Sequence, residues 1–256
     1  MNLRTTGAAA SVILCASLLT ACSAINPGAR ATDEREIGDV TAVELDTSGD
    51  LVVTLGDEPS LTITAGDRII DDLTSETDGG VLRLGRKSWG PGTVGPIRYE
   101  LTVPKLEGVT ISGSGDVDAD FSGADAVKLA IRGSGDIHAT NIDATSLTIT
   151  LEGSGDITVD GLAADDVTAH IEGSGNITLS GEATEQSLTI EGAGDYDAEE
   201  LKTVDTIVRI EGSGDVDVFA TGTLTANIDG SGSIRYSGDP RVDKSIDGAG
   251  EVVPAG

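Results

Sequence analysis

An aspartate or a polar substitute returns at nearly constant intervals through the second half of the chain: Asp116, Asp136, Asp156, Asn176, Asp195, Asp215, Ser233 and Glu251. A second column runs four residues ahead of it: Ser112, Arg132, Glu152, Glu172, Glu191, Glu211, Asp229 and Asp247. Two chemistries fit this spacing. If successive copies stack, neighbouring carboxylates lie about 5 Å apart and repel by about 1 kcal/mol even in bulk water. Ca2+, which takes several carboxylate oxygens, would bridge them, with Asp116, Asp136, Asp156, Asp195 and Asp215 as candidate ligands. Alternatively each aspartate accepts hydrogen bonds from the backbone of its own turn, as Asp commonly does. The turn reading is favoured, because Asn176 and Ser233 keep a turn-forming oxygen and lose the charge. The spacing also differs from the nonapeptide repeat of calcium-binding β-rolls. No cofactor is assigned, and Ca2+ stands as the alternative.

Other reactive groups are sparse. His138 and His170 fall in different outward columns, and a metal site needs several convergent ligands. Serines fill the repeats as Ser114, Ser134, Ser154 and Ser174, so no serine, histidine and acid set stands out. Trp89, Tyr99, Phe121, Tyr196, Phe219 and Tyr236 are all the aromatic residues, few for a glycan-cleaving cleft, and nothing singles out one carboxylate pair. The chain is read as not an enzyme, with a glycan-active enzyme as the lesser alternative. One basic segment interrupts the acidity, at 83–98, with Arg83, Arg86, Lys87 and Arg98 around the single tryptophan. Arg86, Lys87 and Trp89 are candidates for binding a partner, since long loops often carry recognition. The favoured reading makes the segment a connection, with Trp89 packed over an open end of the fold and the bases neutralising nearby acids.

The elements that must position these residues follow from the repeat itself. The stretch IxGSGDI recurs with its first glycine at 113, 133, 153, 173, 192, 212, 230 and 248, at intervals of 20, 20, 20, 19, 20, 18 and 18 residues. A fixed period in this range marks a solenoid. Two residues before that glycine stands Ile or Leu in every copy, and four after it Val, Ile or Tyr, with polar residues between. Period-two alternation on both sides of GxG means two strands meeting at a corner, where glycine supplies the backbone freedom a tight bend needs. The fold expected is an all-β, right-handed parallel β-helix of about eight coils of 18–20 residues, each holding two or three short strands. Lys244 in the inward column and Pro254 in a strand position suit a terminal coil. Residues 38–105 carry a degenerate copy, VELDTSGDLVVTL at 43–55, with Thr47 for the first glycine. Strands at 61–64, 81–84 and 97–103 follow it. This region is an irregular β-rich cap or the first irregular coils, and 106–256 is the regular array.

Residues 1–21 read as a secretory leader, charged at Arg4 and small and apolar from Gly7 to Ala21. Its end, Leu19-Thr20-Ala21-Cys22, resembles the lipobox of bacterial lipoproteins, in which the cysteine is lipidated and becomes the N-terminus. Cys15 lies within the leader, so Cys22 would be left without a disulfide partner. Residues 22–37 are polar and read as a tether. Loss of the leader removes only Arg4, leaving 15 basic against 44 acidic residues, net −29. Such a surface repels nucleic acid and anionic headgroups and favours cations or basic partners.

The GSGD corners, the irregular β-rich lead-in and the lipoprotein start together resemble the bacterial DUF2807 family, described as autotransporter adhesins with a head GIN domain. The resemblance covers about 40–252. It implies a β-helical exported protein and brings no catalytic residue. The function expected is a non-enzymatic surface or binding module of the cell envelope, adhesive in character, held on the outer side of the membrane through lipidated Cys22. The alternative is a passive structural or cation-binding envelope protein. The partner beyond the membrane is an unidentified envelope or extracellular molecule.

Overall fold

A computed structural model describes residues 27–87 and 95–255. Cys22, Trp89 and the leader lie outside the described residues. The molecule is all-β, a stack of parallel coils, and the one helical turn among the described residues is Ile70–Asp72. In the N-terminal region the strands are β1 Arg30–Arg35, β2 Ala42–Leu45, β3 Asp50–Leu55, β4 Ser60–Gly66, β5 Leu73–Asp78, β6 Val81–Arg86 and β7 Arg98–Val103. The array continues with β8 Gly108–Ile111, β9 Val117–Asp120, β10 Ala126–Ile131, β11 Ile137–Thr140, β12 Asp143–Leu151 and β13 Ile157–Ile171. It ends with β14 Ile177–Ile190, β15 Tyr196–Ile210, β16 Val216–Gly230, β17 Ser233–Gly238, β18 Arg241–Gly248 and β19 Glu251–Pro254.

The repeat columns stack residue on residue. Ile137 pairs with Ile157, Ile157 with Ile177, and Ile177 with Tyr196, all parallel. The eight repeated corners bound seven complete turns. Inside the 20-residue coils the buried alternation slips by one residue at two further places. In one turn the inward residues are Ile137 and Ala139, then Ile142 and Ala144, then Leu147, Ile149 and Leu151. These coils are therefore three-sided, and the columns merge into one apolar core along the axis. The bend after the first side places Asn141 at φ 57, Gly161 at φ 71 and Gly181 at φ 134. Asn and Gly are the residues that tolerate this left-handed region. The shorter coils absorb their missing residues near this side, where the β15–β16 register shifts between Ala198 and Asp205.

The GxG glycines serve a different end from the one the sequence suggests. Most have ordinary φ; of the sixteen, Gly230 and Gly248 lie in the positive region. What demands glycine is the rung beneath: a Cβ on Gly133 would collide with the carbonyl oxygen of Gly113, one on Gly153 with that of Gly133, and one on Gly135 with that of Gly115. The carbonyl in that space accepts the next corner's amide, as in Ser134 N to Gly113 O and Ser154 N to Gly133 O, both 3.1 Å. The corner is a ladder of backbone packed on backbone.

The N-terminal region is both cap and irregular coil, in a non-sequential order. β2 lies between β6 and β8, and β3 between β7 and β9, all parallel. The chain thus forms its second rung first and descends to lay down the rung below. It then passes over to continue upward. β4 runs antiparallel to β7 and β1, and β5 antiparallel to β6 through the Gly79-Gly80 turn, with φ 58 and 83. A two-residue turn with both φ positive suits a right-twisted hairpin. Residues 30–35, read from sequence as part of the tether, form β1. Its letters RATDER show no apolar alternation, and Ala31 is its one apolar residue against the core. It is held by main-chain pairing on β4 and by Arg35, which donates to the carbonyls of Ile70 at 3.2 Å and Leu73 at 3.5 Å. At the other end Lys244 stacks in register on buried Ala226 but is itself exposed, and it donates to the Val252 carbonyl at 3.1 Å.

Candidate functional site

The acidic column of Asp116 resolves into a continuous ladder between coils. Asp116 Oδ1 accepts the amide of Asp136 at 3.0 Å, Asp136 that of Asp156 at 2.8 Å, and Asp156 that of Asn176 at 2.8 Å. Asn176 Oδ1 accepts from Asp195 at 3.3 Å, Asp195 from Asp215 at 2.9 Å, and Asp215 from Ser233 at 3.1 Å. The acceptor role expected of these residues is present, but the donor belongs to the next coil, not to the residue's own turn. Asn176 fills its place without charge. Each bond offsets part of the column's repulsion, since hydrogen bonds to charged groups are the stronger class.

Both histidines contact carboxylates on the outer face. His138 lies between coils, Nδ1 3.2 Å from Asp118 and Nε2 3.0 Å from Asp160. The hydrogen bond to Asp160 raises its pKa above the usual imidazole value, burial opposes this, and Asp118 adds to the rise. His170 Nε2 lies 2.8 Å from Glu172. In the basic segment, Arg86 is largely covered and its guanidinium lies 3.9 Å from Asp72, while Lys87 donates to the Asp71 carbonyl at 2.7 Å. Both bases are thus turned onto the 70–72 helical turn.

The feature that sequence reasoning missed is a groove. It has a volume of about 840 Å3 and runs along the stack at the bend between the second and third sides. Its floor is a column of small residues, Ala144, Ala164, Ala183 and Thr203, where other inward columns carry Ile, Leu or Val. Four stacked coils span about 15–20 Å at ~4.8 Å per rung. Asp143, Asp165 and Glu182 stand along the lips, with Lys202 3.8 Å from Glu182. Val204, 46% exposed, and Phe219 close one end. The signal in the sequence is a small residue ten or eleven positions after the first glycine of four successive copies, Ala144, Ala164, Ala183 and Thr203. The groove offers carboxylates, threonine hydroxyls and one ammonium, a set suited to hydrogen bonding an extended ligand. Its lining residues include no histidine, cysteine or serine.

The family profile described as "Putative auto-transporter adhesin, head GIN domain", DUF2807, matches residues 39–240. The chain belongs to the DUF2807 family. Several solved structures share the fold. A "putative lipid binding protein" from Parabacteroides distasonis is 26% identical, with a TM-score of 0.80 over 90% of this chain and 98% of that one. A "putative adhesin" from Parabacteroides merdae is 24% identical, with a TM-score of 0.79 over 90% of this chain and 97% of that one. Another from Bacteroides fragilis is 22% identical, with a TM-score of 0.67 over 89% and 97%. No curated protein matches the chain. The DUF2807 match includes the β2–β3 rung and the cap as well as the array, up to Pro240.

Proposed function

We propose that this DUF2807 protein is a non-enzymatic binding module of the bacterial cell surface, held outside the membrane by lipid on Cys22, with the alanine-floored groove as its ligand seat. The observation that carries the reading is the groove: four rigid rungs place a repeated row of small floor residues and polar lips along one line. A periodic seat fits a periodic, extended ligand such as a polysaccharide or an unfolded peptide. The acidic lips favour one bearing amines or other cationic groups. The adhesin description of the family and of its structural neighbours supports the same reading.

The test is binding of purified residues 23–256 to immobilised envelope polymers, compared with Ala164→Arg, which lays a long cationic side chain across the floor. Binding weakened at least tenfold with an unchanged melting curve is the expected result. Undiminished binding would remove the groove from the account. Shortening of any polymer during the incubation would overturn the non-enzymatic reading. Anchoring is tested separately: Cys22→Ala should move the protein from the membrane fraction to the soluble one, and retention at the membrane would contradict lipidation.

A second reading, lipid binding, is favoured by the 26% identical neighbour of that description. Neutral phospholipid vesicles included among the immobilised surfaces distinguish it. Capture by vesicles, unaffected by Ala164→Arg, would favour lipid.

A further inference from the structure

Apart from the groove, one cluster on the outer face adds an imidazole to carboxylates, a combination that neither the ladder nor the groove holds. His170 and Glu172 are two residues apart on one extended segment, so both side chains leave the same face. Glu191 stands beside Glu172 on the next coil: Ile171 pairs with Ile190, and the Glu191 amide donates to the Ile171 carbonyl at 2.8 Å. One ligand atom from each of the three lies within 4.8 Å of the other two. Two other acids of the column have a basic partner. Arg132 lies 3.3 Å from Glu152 and Arg209 2.6 Å from Glu211, so the acids on either side have a guanidinium. Glu172 and Glu191 are adjacent carboxylates between these pairs. Among the described residues neither has an arginine or lysine within ion-pair distance. At this step the strand supplies an imidazole, at the place where neighbouring coils carry Thr150 and Thr189.

We propose that His170, Glu172 and Glu191 form a surface site for a divalent transition metal ion, with Zn2+ its best-matched occupant. One imidazole nitrogen and two carboxylates are a donor set that zinc accepts with water in the fourth position. The nitrogen donor separates the site from one for Ca2+ or Mg2+, which prefer oxygen throughout. The three backbones are fixed by parallel pairing, so little main-chain ordering is required on binding. The ion would tie two rungs together and keep one coordination position open to solvent or to a ligand.

The test uses purified residues 23–256 without a histidine tag, which contain no cysteine to compete. Calorimetric titration with ZnCl2 alone is expected to give one saturable site, with a higher melting temperature in zinc than in equal concentrations of CaCl2 or MgCl2. His170→Ala and Glu191→Gln should each weaken binding at least tenfold. His138→Ala should not, because its two ring nitrogens face carboxylates on opposite sides and cannot direct both to one ion. No saturable site, equal binding by the His170→Ala and Glu191→Gln variants, or a site that follows His138 instead would each overturn the proposal.

Discussion

His138 shows how much depends on a single side chain placed between rungs. Its partners Asp118 and Asp160 belong to the coils below and above, so the imidazolium links three turns. The folded-state pKa lies above the unfolded one. The stability it adds is therefore complete below the unfolded value of about 6.5 and fades as pH rises through the folded value. All three groups are well exposed, so the contribution should be about 0.2–1 kcal/mol and smaller in high salt. Comparing melting temperatures at pH 5.5 and 8.5 should show a fall for the native chain that is reduced in His138→Ala. Equal falls in both would mean that the link carries no stability. The aspartate ladder gives a second lesson at this scale. The sequence identified the acceptors, but an amide of the same turn and one a full turn away are both compatible with the repeat, and only the stacked backbone distinguishes them.

Among the elements, the GxG corner is the least tolerant part of the fold. A methyl group on Gly153 would occupy the space of the Gly133 carbonyl oxygen, whereas Ser154 between the glycines is replaced by alanine in two corners, at Ala193 and Ala249. Gly153→Ala should cost about 1–3 kcal/mol or more, as overpacking does, and Ser154→Ala no more than about 0.5 kcal/mol. Chemical denaturation of the two variants checks this, and equal stability would refute the packed-corner explanation. Corners and columns were legible because each repeats in identical form. β1 was not, since an edge strand held by main-chain pairing leaves no apolar alternation in RATDER. Nor was the order of the first rungs: VELDTSGDLVVTL announces a coil but does not say that β6 and β7 will lie beneath it. Thr47 hints at the exception. Its side chain is buried and its hydroxyl donates to the Tyr99 hydroxyl at 3.4 Å, so the rung below differs from the glycine-on-glycine stack above.

For the whole molecule, the central claim is that the repetition is architecture. The acidic corners hold coil to coil through carboxylate-to-amide bonds, and the groove proposed as the ligand seat is lined by residues of the same stacked rungs. The groove escaped sequence reading because Ala144, Ala164 and Ala183 are unremarkable one at a time and become a floor only when stacked. The same stacking gives a chain of net charge −28 a long acidic surface, so any added salt will stabilise it by screening. The most direct measurement is therefore thermal unfolding of residues 23–256 in CaCl2, in NaCl of matched ionic strength and with chelator, beside an Asp136→Asn/Asp156→Asn variant. If the column is a hydrogen-bond ladder, calcium adds nothing beyond its ionic strength, and the variant, which keeps the acceptors as Asn176 does, melts within a few degrees of the native chain. A calcium-specific rise in melting temperature that chelator reverses and the variant lacks would contradict the account and make the corners metal sites.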